Sequence, residues 1–400
     1  MTRRAIAIAG CGPCGLAAAI LLHRAGHQVT LFERFDAPRP IGSGLMIQPT
    51  GMAVLAQLGL APRIRREGAR IDRLHGLAGA RTVLDVSYAN APVPGLAGIG
   101  LHRASLFAAL FDAVQAAGIP VQTGRTVTGS RHGPAGRVLA FDDGEESAPF
   151  GLVVDAMGTR STLAPAVGHD LAYGALWATV DWVPDAGLDP HTLSQRYRRS
   201  SVMAGVLPIG PGEGPAPRAA LFWSLRADRL AQWRAHGLAR WKDEMLALWP
   251  QCAPFVDQII DPDQLTFARY AHRTLPQAAE PGLIHLGDAW HSASPQLGQG
   301  ANMALLDAWA LAHCLSATDD PDAGARAAVA LRRRHVRLYQ WLTWLFTPVY
   351  QSDSRVLPIM RDWLVGPISK LWPATVIQTA MVTGLMGNPL APLALRLDRE

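Results

Sequence analysis

The pattern of apolar and polar positions changes period several times along the chain, and each change predicts an element. Ala5-Ile6-Ala7-Ile8-Ala9 is an apolar run of strand length, followed by an alanine- and leucine-rich helix that ends near Gly26 and a second strand, Gln28-Val29-Thr30-Leu31-Phe32. A helix from about Gly51 to Leu58 and another opening at His102-Arg103 follow. Ile71 to Val93 and Leu171 to about Ala279 carry β-like runs, among them Leu176 to Trp182 and Ala219 to Leu225. Proline and glycine punctuate them, and Gly210 to Pro217 reads as a hairpin loop. Leu283-Ile284-His285-Leu286 predicts a late strand ahead of a helix carrying Asp307, and beyond Asp319 the pattern is helical.

Between the first strand and the first helix stands Gly10-Cys11-Gly12-Pro13-Cys14-Gly15. Strand, G-x-G-x-x-G and helix in this order are what a dinucleotide pyrophosphate requires. Gly10 permits the tight turn, Gly12 lets the backbone approach the phosphates, Gly15 brings helix and strand close, and the helix N-terminus supplies oriented N–H groups and a positive dipole end. Pro13 and Cys14 belong to the same loop. Glu33, with Arg34 beside it, ends the second strand roughly 20 residues after the glycines, where a carboxylate can hold ribose hydroxyls.

Farther along, Gly287-Asp288-Ala289-Trp290-His291 and Pro295-Gln296-Leu297-Gly298-Gln299-Gly300-Ala301-Asn302 decide which dinucleotide. With these residues the chain resembles the class A FAD-dependent monooxygenases of the para-hydroxybenzoate hydroxylase type, which are similar to ubiquinone-biosynthesis and other aromatic hydroxylases. His102-Arg103-Ala104-Ser105-Leu106 and the segment Ile41 to Pro49 extend the resemblance over most of the first 315 residues. It implies FAD as cofactor, with Asp288 on a ribityl hydroxyl and Arg103 near the phosphates or ribityl chain. Pro295 would face the reactive edge of the isoalloxazine, and Ile41 to Pro49 would cover the flavin. Backbone N–H groups near Gly298, Gly300, Ala301 and Asn302 would receive negative charge at N1 and O2 of the reduced ring, as a helix N-terminus can.

The resemblance also implies a fold and a reaction. The fold is α/β: a Rossmann-like FAD lobe of the glutathione-reductase type from residues 1–72, 98–170 and 281–330, an interleaved β-sheet substrate lobe from 73–97 and 171–280, and a helical region over 331–400. Trp177, Thr179, Met203 and Trp223 are candidates for the substrate pocket. The reaction is hydroxylation of an apolar aromatic or quinone-like molecule: NADPH or NADH reduces FAD, molecular oxygen forms a peroxide at flavin C4a, and an electron-rich carbon attacks it. The cofactor carries that chemistry while the protein aligns the partners and keeps water out.

One segment departs from the family. Where it usually has A-D-G-x-x-S, this chain reads Asp155-Ala156-Met157-Gly158-Thr159-Arg160-Ser161, with Met157 in place of the carboxylate near the nicotinamide groove. Methionine cannot make a charge-assisted hydrogen bond, so reduction by a separate flavin reductase stays open. A prenyl-type FAD reductase and a non-catalytic flavoprotein that binds a reactive intermediate also stay open. A flavin halogenase is disfavoured, because no lysine precedes Lys242 and no W-x-W-x-I-P segment occurs.

Composition narrows the partners. At 400 residues, 49% hydrophobic and 17% charged, the chain can bury a large core and is not a disordered sequence. Its formal charge of +5 comes from scattered arginines, which speaks against nucleic acid. Cys11 and Cys14 sit in phosphate-loop slots that need small residues, and Cys252 and Cys314 stand alone, so a reducing, cytoplasmic setting is expected. His285 and His291 lack a third ligand at convincing spacing, so no metal site is expected; His291 is expected to orient its turn rather than act as acid or base. Leu371 to Leu395 has no charge but is broken by Pro373, Gly384, Gly387, Pro389 and Pro392, which argues for a packed cap or peripheral membrane contact over a spanning helix.

Overall fold

A computed structural model describes residues 3–37, 44–365 and 371–398. The first strand, Ala5–Ala9, lies inside a six-stranded sheet. The order runs Ala279–Glu280, Leu283–His285, Leu152–Asp155, Ala5–Ala9, Gln28–Phe32, Val121–Gln122. All neighbours are parallel except the edge strand Ala279–Glu280. Covering on both faces explains the unbroken apolar run. Ile6 and Ile8 pack with the helices, whereas Ala7, Ala9, Phe32 and Val153 pack under a hairpin through Val127, Leu139, Phe141 and Phe150.

On the helical face, Pro13–Arg24 lies against Gly300–Leu315. Its buried Leu16, Ile20 and Leu22 each gain about 1.5–3 kcal/mol from burial. Ala17, Ala18 and Ala19 are fully buried too, and such small side chains let the two helices approach.

The second large sheet has seven strands in the order Thr266–Ala268, Tyr173–Asp181, Arg218–Arg226, Val202–Gly210, Thr192–Arg198, Arg73–Ala78, Arg81–Ser87. Strands Val202–Gly210 and Arg218–Arg226 pair antiparallel around residues 211–217, as the proline- and glycine-rich segment requires. Period-2 alternation gives this sheet two distinct faces. One face, with Phe222, Met203, Leu207 and partly buried Trp177, packs with Met46 and Ile71. The other, with Leu176, Ala178, Leu221 and Trp223, packs under helix Leu230–Leu248, which bends at Gly237 where φ is 79°. That helix, with Trp241 and Met245 inward, was not evident among the β-like runs.

Helix Pro321–Tyr350 follows, capped by Asp320, whose carboxylate accepts from the Asp322 N–H at 2.9 Å. Its buried stripe, Ala325, Ala328, Val329, Arg332, His335, Val336, Tyr339 and Leu342, has helical spacing. Two members of that stripe, Arg332 and His335, are polar and belong to the site.

Candidate active site

The phosphate loop separates its glycines by role. At Gly10, φ is +104° and an added Cβ would stand 2.6 Å from the Ala156 carbonyl oxygen; at Gly15 it would stand 2.0 Å from the Gly10 carbonyl oxygen. Both positions are closed by packing. At Gly12 an added Cβ would meet nothing within 4 Å, so the middle of the loop faces open space. Helix Pro13–Arg24 begins there with no side-chain cap. Pro13 has no N–H to satisfy, and the N–H groups of Gly12, Cys14 and Gly15 make no hydrogen bond among the described residues.

Glu33 accepts from the Cys11 N–H at 2.9 Å through one oxygen and from the Phe35 N–H at 3.2 Å through the other. The carboxylate is thereby fixed beside the loop, with acceptor capacity left on each oxygen. Arg34 is exposed and lies over the Phe35 ring. Burial pushes the Cys11 thiol up to about 12, helped by Glu33, and Cys14 is also held well above its ordinary value by burial. Neither is a reactive thiolate.

Asp288 opens a short helical turn, Asp288–His291, after Gly287 at φ 56°. Its side chain is exposed, yet the surrounding protein desolvates it enough to raise its pKa, with Asp307 adding to the rise while His291 and Arg103 oppose it. An accessible carboxylate that the surrounding protein still desolvates is recessed among its neighbours rather than standing on an open face. The turn is tied from behind by Asp307, which accepts from the Gly287 N–H at 3.0 Å, from His291 Nε2 at 2.6 Å and from Arg332 Nε at 2.8 Å. Arg332 reaches His335 Nδ1 at 3.0 Å, and His335 Nε2 lies 3.1 Å from the Gly384 carbonyl oxygen. A neutral His335 fits both contacts, donating through Nε2 and accepting through Nδ1.

The Pro295 turn stands opposite. Pro295 is exposed and starts the short turn Pro295–Leu297; Gly298 then takes the left-handed conformation at φ 61°. Helix Gly300–Leu315 begins with no side-chain cap, and the N–H groups of Gly300, Ala301 and Asn302 make no hydrogen bond among the described residues. A Cβ on Gly300 would come 3.9 Å from Asp288 Oδ1, so turn and carboxylate border one space. The Asn302 side chain is fully committed elsewhere: Oδ1 accepts from the Gln48 N–H at 2.8 Å, and Nδ2 donates to the carbonyls of Met46 and Gly298. Only its backbone remains for a ligand. Ile41, Gly42 and Ser43 of the expected flavin-covering segment lie outside the described residues; Gly44–Ile47 is a strand.

Arg103 is the exposed first residue of helix Arg103–Ala116, and its charge is felt at both Asp288 and Tyr270, which places it toward the cleft. Tyr270 accepts a hydrogen bond from Trp177 Nε1 at 2.9 Å. Thr179 shares the Trp177 side of its strand, and Met203 is buried on the same sheet face beside Phe222. Trp223 does not join them. Pairing with Leu176 and Ala204 turns it to the opposite face, among Trp241 and Trp249, because strand neighbours alternate sides.

Asp155 accounts for the altered middle strand. It is fully buried, accepting from Ser161 Oγ at 2.6 Å and the Met157 N–H at 3.1 Å, and it meets His285 Nδ1 at 2.7 Å. Met157 packs against the apolar cluster under the hairpin. Asp155 therefore cannot reach outward as a substitute for the missing carboxylate.

The sequence profile of the FAD binding domain family matches residues 3–328. The chain belongs to this family. It is a class A FAD-dependent monooxygenase, an oxidoreductase with FAD as cofactor. A putative 2-heptyl-3-hydroxy-4(1H)-quinolone synthase AqdB1 of Rhodococcus erythropolis is 29% identical, covering 84% of this chain and 86% of its own. The 3-amino-4-hydroxybenzoate 2-monooxygenase of Streptomyces cremeus is 27% identical over 78% of each. Among solved structures, Klebsiella pneumoniae HpxO complexed with FAD and uric acid superposes with a TM-score of 0.80 at 20% identity, covering 96% of this chain and 97% of that one.

Two polar residues beside the candidate site carry no sequence signal. Gln48 accepts from the Tyr88 hydroxyl at 2.5 Å and Tyr270 accepts from Trp177, and these partners, distant in sequence, are recognisable only once the chain is folded. Arg332 and His335 are different: two ionisable positions on the mostly apolar buried face of one helix are visible in the sequence once the helix is phased.

The buried knot makes stability pH-dependent. Burial and the Arg332 charge lower His335 to about 3, so the unfolded chain takes up this proton below about 6.5 while the folded chain does not. Stability is expected to fall by up to about 1.4 kcal/mol per pH unit between pH 6.5 and 3 from this group alone. His335→Gln should flatten that slope in urea melts across the window; an unchanged slope would show that His335 does not carry it.

Proposed function

We propose that this monooxygenase holds FAD along the cleft between the phosphate loop and the Pro295 turn, and hydroxylates an apolar aromatic or quinone-like small molecule, with NADPH or NADH as reductant and molecular oxygen as oxidant. The observation that carries the reading is the pair of uncapped helix N-termini: the one at Gly12 opens onto free space, the one at Gly300 stands beside the exposed carboxylate of Asp288, and the two helices touch near these ends through Cys14 and the Ala304 carbonyl. A ligand with a pyrophosphate, a hydroxyl chain and a ring able to carry negative charge matches those three features in order.

In this reading the Gly12, Cys14 and Gly15 N–H groups bind the pyrophosphate, Glu33 the ribose and Asp288 the ribityl chain, with Arg103 supplying compensating charge. The N–H groups of Gly300, Ala301 and Asn302 stabilise negative charge on the ring, which Pro295 faces. Bound FAD supplies electron transfer and the activation of oxygen. The apolar sheet face with Trp177, Thr179 and Met203 positions the substrate ring and excludes water, and relatives named for a hydroxyquinolone and an aminohydroxybenzoate support an electron-rich ring. No acid–base pair is needed for an electron-rich carbon to react.

The reductant is tested by anaerobic stopped-flow mixing of the FAD-loaded protein with NADPH and with NADH, with and without candidate hydroxyaromatics. Bleaching of the flavin by one of them, accelerated by a substrate, is the expected result. Met157→Asp should raise that rate if the carboxylate lost from this position slows docking; no bleaching with either nucleotide would assign reduction to a partner reductase.

Peripheral membrane contact through the C-terminal region is supported by Trp341, Trp344 and Trp372, exposed at 54%, 62% and 80%. No helix among the described residues is long and apolar enough to cross a membrane. Co-sedimentation with phosphatidylcholine vesicles, lost in Trp341→Ser/Trp344→Ser, is expected; a chain that stays in solution contradicts the contact.

A further inference from the structure

A cleft of about 540 Å³ opens where the seven-stranded sheet meets the segment after helix Pro321–Tyr350. Its walls include five arginines, Arg198, Arg199, Arg226, Arg229 and Arg355, against two carboxylates, Glu244 and Asp353. Trp223, which also lines it, belongs to the sheet face turned away from Trp177 and Met203, so the cleft is separate from the flavin side.

The arginines fall into two groups. Arg226 is fully employed: it bonds both oxygens of Asp228 and also Asp353, while Asp353 accepts from the Tyr173 hydroxyl at 2.6 Å. This clasp joins the sheet to the C-terminal segment and neutralises one cation. Arg198, Arg199, Arg229 and Arg355 have no side-chain hydrogen bond or ion pair among the described residues, which leaves a surplus of positive charge around one concave space.

Two of these guanidiniums sit on a fixed turn. Between the strands Thr192–Arg198 and Val202–Gly210, the Ser200 hydroxyl donates to the Val349 carbonyl at 2.6 Å, and the Ser200 carbonyl accepts from the Ser352 N–H at 3.0 Å. Ser224 braces the same turn, its hydroxyl donating to the Ser201 carbonyl at 3.4 Å and accepting from the Met203 N–H at 2.8 Å in the strand that follows. Arg199 is held at φ 58°, a left-handed conformation that side chains with a Cβ adopt reluctantly and that glycine would take freely. A bulky cation kept in a position suited to glycine, on a turn anchored from both sides, is a local outlier of the kind that accompanies binding sites.

We propose that this cleft binds a soluble phosphate ester, its phosphate oxygens taken by Arg198, Arg199 and Arg355 and its organic part lying over Val202 and Leu225. Guanidinium forks match phosphate geometry and form charge-assisted hydrogen bonds. The volume exceeds what a bare phosphate needs and falls in the range of small-molecule sites.

The test uses the FAD-loaded protein and inorganic pyrophosphate as probe, titrated calorimetrically at constant ionic strength. Saturable one-to-one binding is expected, weakened about tenfold or more by Arg199→Gly and by Arg355→Ala, since each removes a charge-assisted contact. Arg199→Gly should keep or raise Tm, because it relieves the left-handed backbone, and both variants should retain the wild-type flavin spectrum. Binding that neither variant weakens, or no saturable binding at all, overturns the proposal. A parallel arm uses phosphatidylcholine vesicles containing phosphatidic acid: binding there without binding of free pyrophosphate would replace the soluble ester with a lipid headgroup.

Discussion

The constraint on which this structure turns is that a set of backbone N–H groups must remain without protein partners. A buried donor left unsatisfied costs about 1–3 kcal/mol, and a side-chain cap is one way a helix N-terminus avoids it, as His102 and Asp320 do in this chain. Here Pro13–Arg24 and Gly300–Leu315 both start uncapped and pack side by side, with their starting turns joined where Cys14 Sγ donates to the Ala304 carbonyl at 3.5 Å. The loop residues follow from that demand. Gly10 and Gly15 permit close packing behind the loop, Gly12 leaves its front clear, and Pro13 removes one donor that would otherwise need a partner.

The cleft keeps its shape through a carboxylate placed behind it. Burial alone would raise Asp307, but the charges and hydrogen bonds of His291 and Arg332 bring it down to about 2, so it stays ionised and holds three segments at once. Through it, the left-handed Gly287 turn is tied to helix Pro321–Tyr350, and through His335 to the carbonyl of Gly384. Gln299 adds a second tie, donating to the Val382 carbonyl at 2.6 Å. The C-terminal region thus braces both sides of the Asp288–Pro295 space, and removing one partner from such a buried knot costs far more than a surface pair would.

Much of this was legible in the sequence because the governing requirements are local. Strand, glycine loop, helix and Glu33 follow one another within about thirty residues, and each has a backbone reason to be where it is. Gly287-Asp288 and Pro295 to Asn302 were legible through resemblance, since nothing in their spacing alone brings them close to the first loop, as the contacts of Cys14 with Gly287 and Ala304 do. Trp223 shows the limit: its strand was recognised, but which face it presents depends on register with Leu176 and Ala204, a long-range fact. Asp155 shows another, because only its contacts with Ser161 and His285 reveal that it points inward and leaves Met157 without a nearby replacement. The arginine cleft unites residues from five separated segments and has no sequence signature.

The most direct test of the central claim is hydrogen–deuterium exchange of the apo and FAD-loaded protein, followed in peptides covering residues 10–16 and 298–303. The account predicts that FAD slows exchange in both peptides, because unpaired N–H groups at both helix starts gain acceptors on the same ligand. Protection of residues 10–16 with unchanged exchange at 298–303 would contradict it, placing the flavin ring somewhere other than the Pro295 turn.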